Sequence, residues 1–256
     1  MRRSTENSST KVQELVKKRF NVIKSPDSLV VALAGNPNTG KSTIFNTLTG
    51  LKQHTGNWPG KTVVQAQGSF LVGSQKYTIV DLPGTYSLLA NSVEETVARD
   101  FLCFGRPEAA IVVVDATCLE RNLNLVLQIM EITSKVVVSI NLMDEAQRKG
   151  ISIDNKKLES QLGVPVVPTV ARIGQGIEEL VQMVHKVARN EVIPKPRIVC
   201  YDPDIEDAVA EMTPNLEKIL DGRFNPRWVA LRIIAGDSNL INQIFEACEV
   251  SLPWAQ

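Results

Sequence analysis

Residues 35–42 have the sequence GNPNTGKS and directly follow the apolar run SLVVALA. Two Gly, one Lys and one Ser at this spacing, between a strand and a helix, are typical of a phosphate-binding loop, or P-loop. Glycines let backbone N–H groups converge on phosphate oxygens, and the helix directs the positive end of its dipole toward them. We predict that Lys41 contacts the β- and γ-phosphates of a nucleotide and that the Ser42 hydroxyl binds Mg²⁺.

The motif DLPG follows at the end of another predicted strand. Its Asp81 can hold Mg²⁺ through water, and the Gly84 N–H can donate to a γ-phosphate. Many GTPases place a Gln directly after this motif to orient the attacking water, but Thr85 stands there and is too short for that role. The water must then be held by the backbone of another loop, by an added cation or by a partner.

Two further motifs favour guanine over adenine. In NLMD, the Asp144 carboxylate can accept hydrogen bonds from both N1–H and the 2-amino group of guanine. Adenine lacks these donors and would leave a buried carboxylate unpaired. Asn141 is expected to tie this loop to the P-loop. In TVARIG, the Ala171 N–H is expected to donate to guanine O6, and Val170 replaces the Ser of the usual pattern.

The segment HTGNWPGKTV, residues 54–63, is rich in Gly and Pro, which predicts an irregular, mobile loop. Its Thr62 is the candidate to close over Mg²⁺ and the γ-phosphate, so we call residues 54–63 the switch segment. The ordered motifs resemble the translation-factor-related class of small GTPases. Asn38 occupies the P-loop position at which potassium-activated GTPases carry an Asn, which implies a K⁺ beside the phosphates and slow hydrolysis without help. Alternatively, Asn38 only hydrogen-bonds its own turn.

Together these motifs predict one site for GTP or GDP with Mg²⁺ and K⁺. The predicted catalytic residues are Asn38, Lys41, Thr62 and Gly84. The predicted metal ligands are Ser42, Thr62 and Asp81 for Mg²⁺ and Asn38 for K⁺. The predicted nucleotide contacts are Asn36, Asn38, Thr39, Gly40, Lys41, Ser42, Thr43, Gly56, Trp58, Thr62, Gly84, Asn141, Asp144, Val170 and Ala171.

Alternating strands and helices are needed to position these motifs. The apolar runs AAIVVVDA, KVVVSIN and VPVVPT are typical of strands covered on both faces, and helical patterns lie between them. The stretch TVVQAQGSFLVGSQKYTIVD predicts two strands around a Gly-Ser turn. The chain is therefore predicted to have an α/β, Ras-like P-loop GTPase fold with a mostly parallel six-stranded sheet, followed by a small all-helical domain.

Three segments are expected along the chain. Residues 1–27 would be an N-terminal extension with a short amphipathic helix, and residues 28–192 the G domain. Residues 193–256 would be the helical domain, with separate helical patterns at 204–212 and 215–220.

Composition excludes several classes of protein. The 28 basic and 28 acidic residues balance, whereas nucleic-acid binders show a basic excess. Four Cys without paired spacing and two His do not predict a zinc site, and we expect reduced thiols in a cytoplasmic chain. The polar N-terminus does not resemble a signal peptide, and no apolar run is long enough to span a bilayer.

The combination of TGNWPGKTV, DLPGTYSL, VCYDPDIEDAV and NPRWVALRIIAGD resembles the ferrous iron transport protein B (FeoB) family over about residues 28–250. The resemblance implies a GTP-binding and GTP-hydrolysing regulatory domain of a bacterial ferrous iron transporter, at the cytoplasmic face of the inner membrane. Its implied partners are the transmembrane iron-transport domain, small cytosolic accessory proteins of the iron system and a second copy in a homo-oligomer, with no nucleic acid. Unlike the family pattern, about 27 residues precede the first strand, and Lys61 replaces Val.

Other interpretations stay open on the sequence. An RNA- or ribosome-associated GTPase would share the motifs but normally adds a basic module, whereas residues 191–256 hold six basic and eleven acidic residues. In a P-loop ATPase or kinase, Asp144 would have no guanine donors to bind. Iron binding by the acidic cluster at residues 201–207 is a weaker hypothesis, because acidic residues at a helix start also complement the helix dipole.

Overall fold

The computed structural model describes residues 19–23, 25 and 27–249. One sheet is formed by the strands β1 (Leu29–Gly35), β2 (Gln53–Asn57), β3 (Val64–Val72), β4 (Gln75–Asp81), β5 (Ala109–Asp115), β6 (Val136–Asn141) and β7 (Val166–Pro168). Their order in the sheet is β2-β3-β4-β1-β5-β6-β7. Pairing is antiparallel for β2 with β3 and β3 with β4, and parallel for every other pair. The α/β, mostly parallel fold is thus confirmed.

The predicted number of six strands is wrong, because β2 forms within the switch segment and adjoining residues. All five residues of β2 are exposed, so the strand has no apolar face that alternation of residue types would reveal. It pairs with β3 in register, with Gly56 opposite Gln65. Ladder hydrogen bonds to β3, rather than burial, therefore define this edge strand.

The centre of the sheet supplies the core. β1, β5 and β6 are buried along almost their whole length, as their continuous apolar runs predict. Because β1, β4, β5, β6 and β7 run parallel, their carboxyl ends meet at one edge of the sheet. The P-loop and the motifs DLPG, NLMD and TVARIG all lie at or directly after these ends, where open α/β sheets bind their ligands.

Five helices lie between strands in the described chain: α1 (Lys41–Thr49), α2 (Val93–Phe104), α3 (Leu119–Ile132), α4 (Met143–Arg148) and α5 (Asn155–Leu162). Helix α6 (Ile177–Ala188) follows β7. Helix α1 ends at Gly50 in the left-handed conformation. Helix α2 begins where the Ser92 hydroxyl accepts a hydrogen bond from the Glu95 N–H at 3.1 Å. Local capping signals in the sequence thus fix where these helices begin and end.

Three more helices follow: α7 (Pro203–Leu220), α8 (Pro226–Ile234) and α9 (Ser238–Ala247). The two helical patterns predicted at 204–212 and 215–220 form the single helix α7, which continues through Pro214. A proline inside a helix removes one backbone donor and usually ends or kinks it. Here Val209, Leu216 and Leu220 share one buried face, and burial of that face outweighs the proline.

The chain divides into two compact units. The first contains the described residues up to Met130 and Ser134–Arg197, and the second contains Glu131–Thr133 and the described residues from Ile198 onward. The bounds 28–192 and 193–256 stay predictions. The helix predicted in the N-terminal extension lies largely outside the described residues. Within the described part of the chain, no helix has the length and apolarity needed to cross a membrane.

Candidate nucleotide-binding site

The P-loop connects β1 to α1, and two of its glycines leave no room for a side chain. A Cβ at Gly35 would lie 2.6 Å from the Val113 carbonyl oxygen, and one at Gly40 would lie 2.2 Å from Asn141 Nδ2. Gly40 also has a φ of 84°, which favours glycine. The loop therefore approaches β5 and β6 closely, and a larger residue at either position would push it away.

Helix α1 begins without any cap of its own. Gly40 offers no side chain, and the first turn holds no acidic residue. The N–H groups of that turn therefore keep their capacity to bind an anion at the positive end of the helix dipole. Ser42 and Thr43 lie in the same turn and are exposed. This helix start has the properties of a phosphate site.

Lys41 points from this turn to the DLPG motif. Its Nζ donates to the Asp81 carboxylate and, at 2.7 Å, to the Leu82 carbonyl oxygen. Burial raises the pKa of the Asp81 carboxyl above its ordinary value, although Lys41 acts in the opposite direction. The ammonium and the carboxylate thus satisfy each other, and a phosphate has the charge to take the ammonium from Asp81.

The DLPG motif lies against the P-loop. The Leu82 N–H donates to the Leu33 carbonyl oxygen at 2.9 Å. A Cβ on Gly84 would be 3.4 Å from the Cα of Pro37, so the backbone of the two loops is in van der Waals range. The two motifs form adjoining walls of one site.

Asn141 joins the P-loop to both guanine motifs. Its Nδ2 donates to the Thr39 carbonyl oxygen at 2.9 Å. Its Oδ1 accepts from the Thr169 hydroxyl at 3.2 Å and from the Ala171 N–H at 3.0 Å. Asn141 is 1% exposed, so these bonds are sheltered from water. One side chain therefore fixes three loops relative to one another.

The same contacts explain how the TVARIG loop is supported without a Ser at position 170. Val170 is buried, its N–H donates to the Gln175 carbonyl oxygen at 3.0 Å, and Thr169 and Asn141 supply the polar contacts. The Ala171 N–H, predicted to reach guanine O6, is engaged by Asn141. The neighbouring Arg172 N–H has no hydrogen bond within the described part of the chain.

Asp144 is held by Arg172, a residue that the sequence does not single out. Arg172 Nη2 and Nε donate to Asp144 Oδ2 at 2.5 and 3.1 Å. This side-chain hydrogen bond holds the pKa of Asp144 below its ordinary value, so the carboxyl is ionised. Asp144 Oδ1 is buried and has no partner among the described residues. The unpaired oxygen fits the N–H donors of guanine.

Two asparagines of the P-loop differ in environment. Asn38 is exposed, has a φ of 66°, and its side chain makes no hydrogen bond to its own turn or elsewhere in residues 27–249. Asn36 is 1% exposed, and neither polar atom of its side chain has a described partner. Both side chains keep their full hydrogen-bonding capacity for a ligand or ion.

The switch segment does not join this arrangement. Gly56 lies in β2, and Trp58 is 2% exposed within an aromatic cluster. Thr62 is exposed and has no hydrogen bond to the P-loop among the described residues. The structure brings together the predicted residues of the P-loop, DLPG, NLMD and TVARIG. It leaves Gly56, Trp58 and Thr62 apart from them.

The residues after DLPG also fit the absence of a water-orienting Gln. Thr85 is 6% exposed, and its hydroxyl donates to the Ser87 carbonyl oxygen at 2.7 Å. The Arg121 guanidinium lies 4.3 Å from the centroid of the Tyr86 ring. The Thr85 hydroxyl is therefore engaged within its own loop.

Family models match both units of the chain. The model described as ferrous iron transport protein B matches residues 29–184, and the model described as FeoB cytosolic helical domain matches residues 201–251. The Fe(2+) transport protein A/Fe(2+) transporter FeoB fusion protein of Porphyromonas gingivalis is 41% identical over 215 residues, which cover 82% of this chain and 25% of that protein. The Fe(2+) transporter FeoB of Escherichia coli strain K12 is 38% identical over 216 residues, with 82% and 27% covered. The chain spans about a quarter of the length of the curated relatives it matches.

Solved structures agree. The cytosolic domain of the T. maritima FeoB iron transporter in its GDP form I is 36% identical with a TM-score of 0.78, covering 91% of this chain and 89% of that one. The GMPPNP form of the same domain gives a TM-score of 0.75 at 36% identity, with 89% and 88% covered.

Proposed function

Because the chain belongs to the ferrous iron transport protein B family, we propose that it binds and hydrolyses GTP as the regulatory G domain of a ferrous iron transporter. The observation that carries this proposal is the Asn141 side chain, which joins the P-loop, NLMD and TVARIG into one site. The GDP and GMPPNP forms of the T. maritima domain support nucleotide binding. The family favours this function over the RNA-associated alternative.

Guanine would be recognised at Asp144. Its unpaired Oδ1 would accept from N1–H or the 2-amino group, and the Arg172 contact at Oδ2 would be exchanged for the second donor. Guanine O6 would share the Ala171 N–H with Asn141 or take the N–H of Arg172. Adenine has no donor for Oδ1, so this buried oxygen would stay unpaired.

The phosphates would lie at the start of α1. Lys41 would exchange Asp81 for phosphate oxygens. The uncapped N–H groups of the first turn of α1 would donate to the remaining phosphate oxygens. The Ser42 hydroxyl and the Asp81 carboxylate are oxygen ligands of the kind that Mg²⁺ prefers, and the ion would neutralise phosphate charge. The Gly84 N–H would donate to the γ-phosphate.

Hydrolysis would depend on groups other than a Gln. K⁺ bound at Asn38 would supply positive charge beside the phosphates, where other GTPases use an arginine. Thr62 would have to move to the P-loop when a triphosphate binds, so the switch segment is the part expected to respond to GTP. A slow rate is expected until this closure occurs.

The setting follows from the family. We expect the chain to act at the cytoplasmic face of the bacterial inner membrane, next to the transmembrane iron-transport domain of the whole protein. A second copy and small accessory proteins of the iron system are further proposed partners.

Asp144→Asn tests the nucleotide specificity. Xanthine carries a carbonyl at position 2 where guanine carries an amino group, and an Asn amide can donate to that carbonyl. By titration calorimetry, the wild type should bind GDP and not ADP. The variant should lose about a hundredfold in GDP affinity and gain affinity for xanthosine diphosphate, since a charged hydrogen bond is lost.

Glu145→Gln is the matched control, because Glu145 is the neighbouring carboxylate and pairs with Arg148 at 2.8 Å. It should leave GDP affinity unchanged. Equal affinity of the wild type for GDP and ADP would contradict the proposal.

A further inference from the structure

A short segment ahead of β1 packs on the switch segment, and we call its residues 19–23 the N-terminal clamp. Phe20 is 5% exposed and forms edge-to-face contacts with Trp58 and Phe101, at centroid distances of 6.1 and 5.3 Å. Trp58 and Phe101 complete the cluster at 5.5 Å. Trp58 belongs to the switch segment and Phe101 to α2. The Phe20 ring therefore bridges a loop expected to move and a fixed helix.

Polar contacts hold the backbone of the clamp on β3. Gln65 Nε2 donates to the Phe20 carbonyl oxygen at 2.8 Å, and Gln67 Nε2 donates to the Asn21 carbonyl oxygen at 3.2 Å. The Ile23 N–H donates to Gln67 Oε1 at 2.9 Å. Gln65 and Gln67 are 2% and 5% exposed. The buried side-chain amides of Gln65 and Gln67 are thus hydrogen-bonded to the clamp. Displacing the clamp would leave them unpaired, which is unfavourable in free energy.

Arg19 adds a contact to α2. Its guanidinium lies 4.0 Å from the centroid of the Phe104 ring and 3.7 Å from the Asp100 carboxylate. These contacts anchor Arg19, the residue directly before Phe20, to α2, which also carries Phe101.

The buried Trp58 side chain leaves one polar group without a hydrogen bond among the described residues. Its indole N–H is buried without a partner among the described residues, although a buried Trp normally finds one. Trp58 also controls the local turn, because its N–H donates to the Val63 carbonyl oxygen and its carbonyl oxygen accepts from the Lys61 N–H, both at 2.9 Å. Thr62 lies inside this turn. The aromatic cluster therefore determines where Thr62 is.

We propose that the N-terminal clamp acts as a positioning element that holds the switch segment in a conformation in which Thr62 is not engaged at the P-loop, and so disfavours GTP relative to GDP. The proposal rests on the proposed function, in which Thr62 must reach the γ-phosphate and Mg²⁺. A ligand that requires the released segment binds more weakly by the free energy of release, whereas GDP does not require it. The family match begins at residue 29, so the clamp lies ahead of the matched module.

Phe20→Ala in the full chain tests the clamp. Affinities for GDP and for GMPPNP with Mg²⁺ are measured by calorimetry. Loss of the aromatic contacts should tighten GMPPNP binding by about fivefold and leave GDP binding unchanged. Phe20→Leu, which keeps an apolar side chain, should lie between the two. In protein labelled with 5-fluorotryptophan, the Trp58 resonance, assigned with Trp58→Phe, should shift when GMPPNP binds and not when GDP binds.

Two further variants separate the clamp from general loss of stability. Phe70→Ala removes a buried ring that stacks on Tyr77 outside the clamp, and it should lower stability without changing the ratio of the two affinities. The double variant Gln65→Leu, Gln67→Leu keeps the rings and releases the clamp backbone, so it should shift the ratio in the same direction even where Phe20→Ala does not fold.

The outcomes are distinct. The clamp proposal is contradicted if the affinity for GMPPNP relative to GDP is unchanged or lowered in the clamp variants. It is also contradicted if the Trp58 resonance does not shift when GMPPNP binds. Neither result contradicts the proposed GTPase function. A wild type that binds neither nucleotide overturns the proposed function itself.

Discussion

Arg227 and Glu206 form an ion pair in the helical unit that differs from the ion pairs of the nucleotide site. Arg227 Nη1 and Nη2 each donate to Glu206 at 2.7 Å, and Nη2 also donates to the Val199 carbonyl oxygen at 2.8 Å. Glu206 accepts a further bond from the Tyr201 N–H at 2.8 Å. Both carboxylate oxygens are engaged, and the pair ties the start of α8 to α7 and the segment before it.

The pairs of the nucleotide site are less complete. Asp144 uses only one oxygen for Arg172 and leaves the other buried without a described partner. Lys41 and Asp81 neutralise each other across two loops, and the Asn36 side chain of the P-loop has no described partner. The comparison teaches that a completed pair holds the fold, whereas an incomplete one marks groups available to a ligand.

The largest effect is expected for Lys41→Ala. GDP binding should weaken by at least about a hundredfold, because charge-assisted hydrogen bonds to phosphate contribute about 1.5–3 kcal/mol each. The free energy of unfolding of the ligand-free protein should change far less, since Asp81, with its pKa already raised by burial, can take up a proton. Calorimetric titration and urea unfolding measure the two quantities. A large loss of stability would make this pair structural and break the comparison.

Asn38→Ala is expected to have the next largest effect. In KCl against NaCl at equal ionic strength, the wild type should hydrolyse GTP at least about tenfold faster with K⁺, as expected for a charge placed at the phosphates. The variant should show equal rates. Asn124→Ala, at an exposed position on α3, is the control and should keep the K⁺ response. Equal wild-type rates in both salts would rule out the predicted K⁺ site.

Glu206→Gln should affect stability and not nucleotide binding. The side-chain hydrogen bond from Arg227 lowers the pKa of Glu206 from 4.5 to about 2. The stabilisation is therefore fully present above pH 4.5 and is lost as the pH falls toward 2. The variant should have a lower urea midpoint at pH 7, and its difference from the wild type should shrink across this window. A loss of GDP affinity would contradict the separation of the two regions.

Arg172→Ala should have the smallest effect, and in the opposite direction. An exposed ion pair contributes little because solvent screens it, so its removal should raise GDP affinity by only about twofold to fivefold. The gain should shrink at high salt, where the pair is screened in the wild type as well. Weaker GDP binding would show instead that Arg172 contacts the nucleotide.

The sequence predicts the central sheet because β1, β5 and β6 are mostly apolar, and it predicts that motifs after parallel strands share one edge. It does not predict β2, because an exposed edge strand has no periodic pattern. It also misplaces a break at Pro214, where burial of one face outweighs a local signal. Ladder hydrogen bonds to β3 decided the first case, and burial of one helix face decided the second.

For the site, motif spacing predicts the P-loop, DLPG and NLMD, and the structure places them together. Whether each residue contacts nucleotide stays a prediction. Arg172 lies within TVARIG, but nothing in the motif singles out its side chain, since any exposed cation near Asp144 would serve as partner. Phe20 lies in a segment whose pattern predicts only an amphipathic helix, and its contact with Trp58 depends on residues far apart in the sequence.

Asn141 has a consequence for synthesis of the chain. Its hydrogen bonds connect positions 102 residues behind it and 30 residues ahead of it. The proposed guanine pocket would therefore be incomplete until the residues after β7 have left the ribosome and folded back. A nascent chain that ends before Thr169 would contain the P-loop and Asp144 but not the Ala171 N–H that is proposed to meet guanine O6. The proposed recognition of guanine by Asp144 and Ala171 together would thus require the whole sheet to have been synthesised.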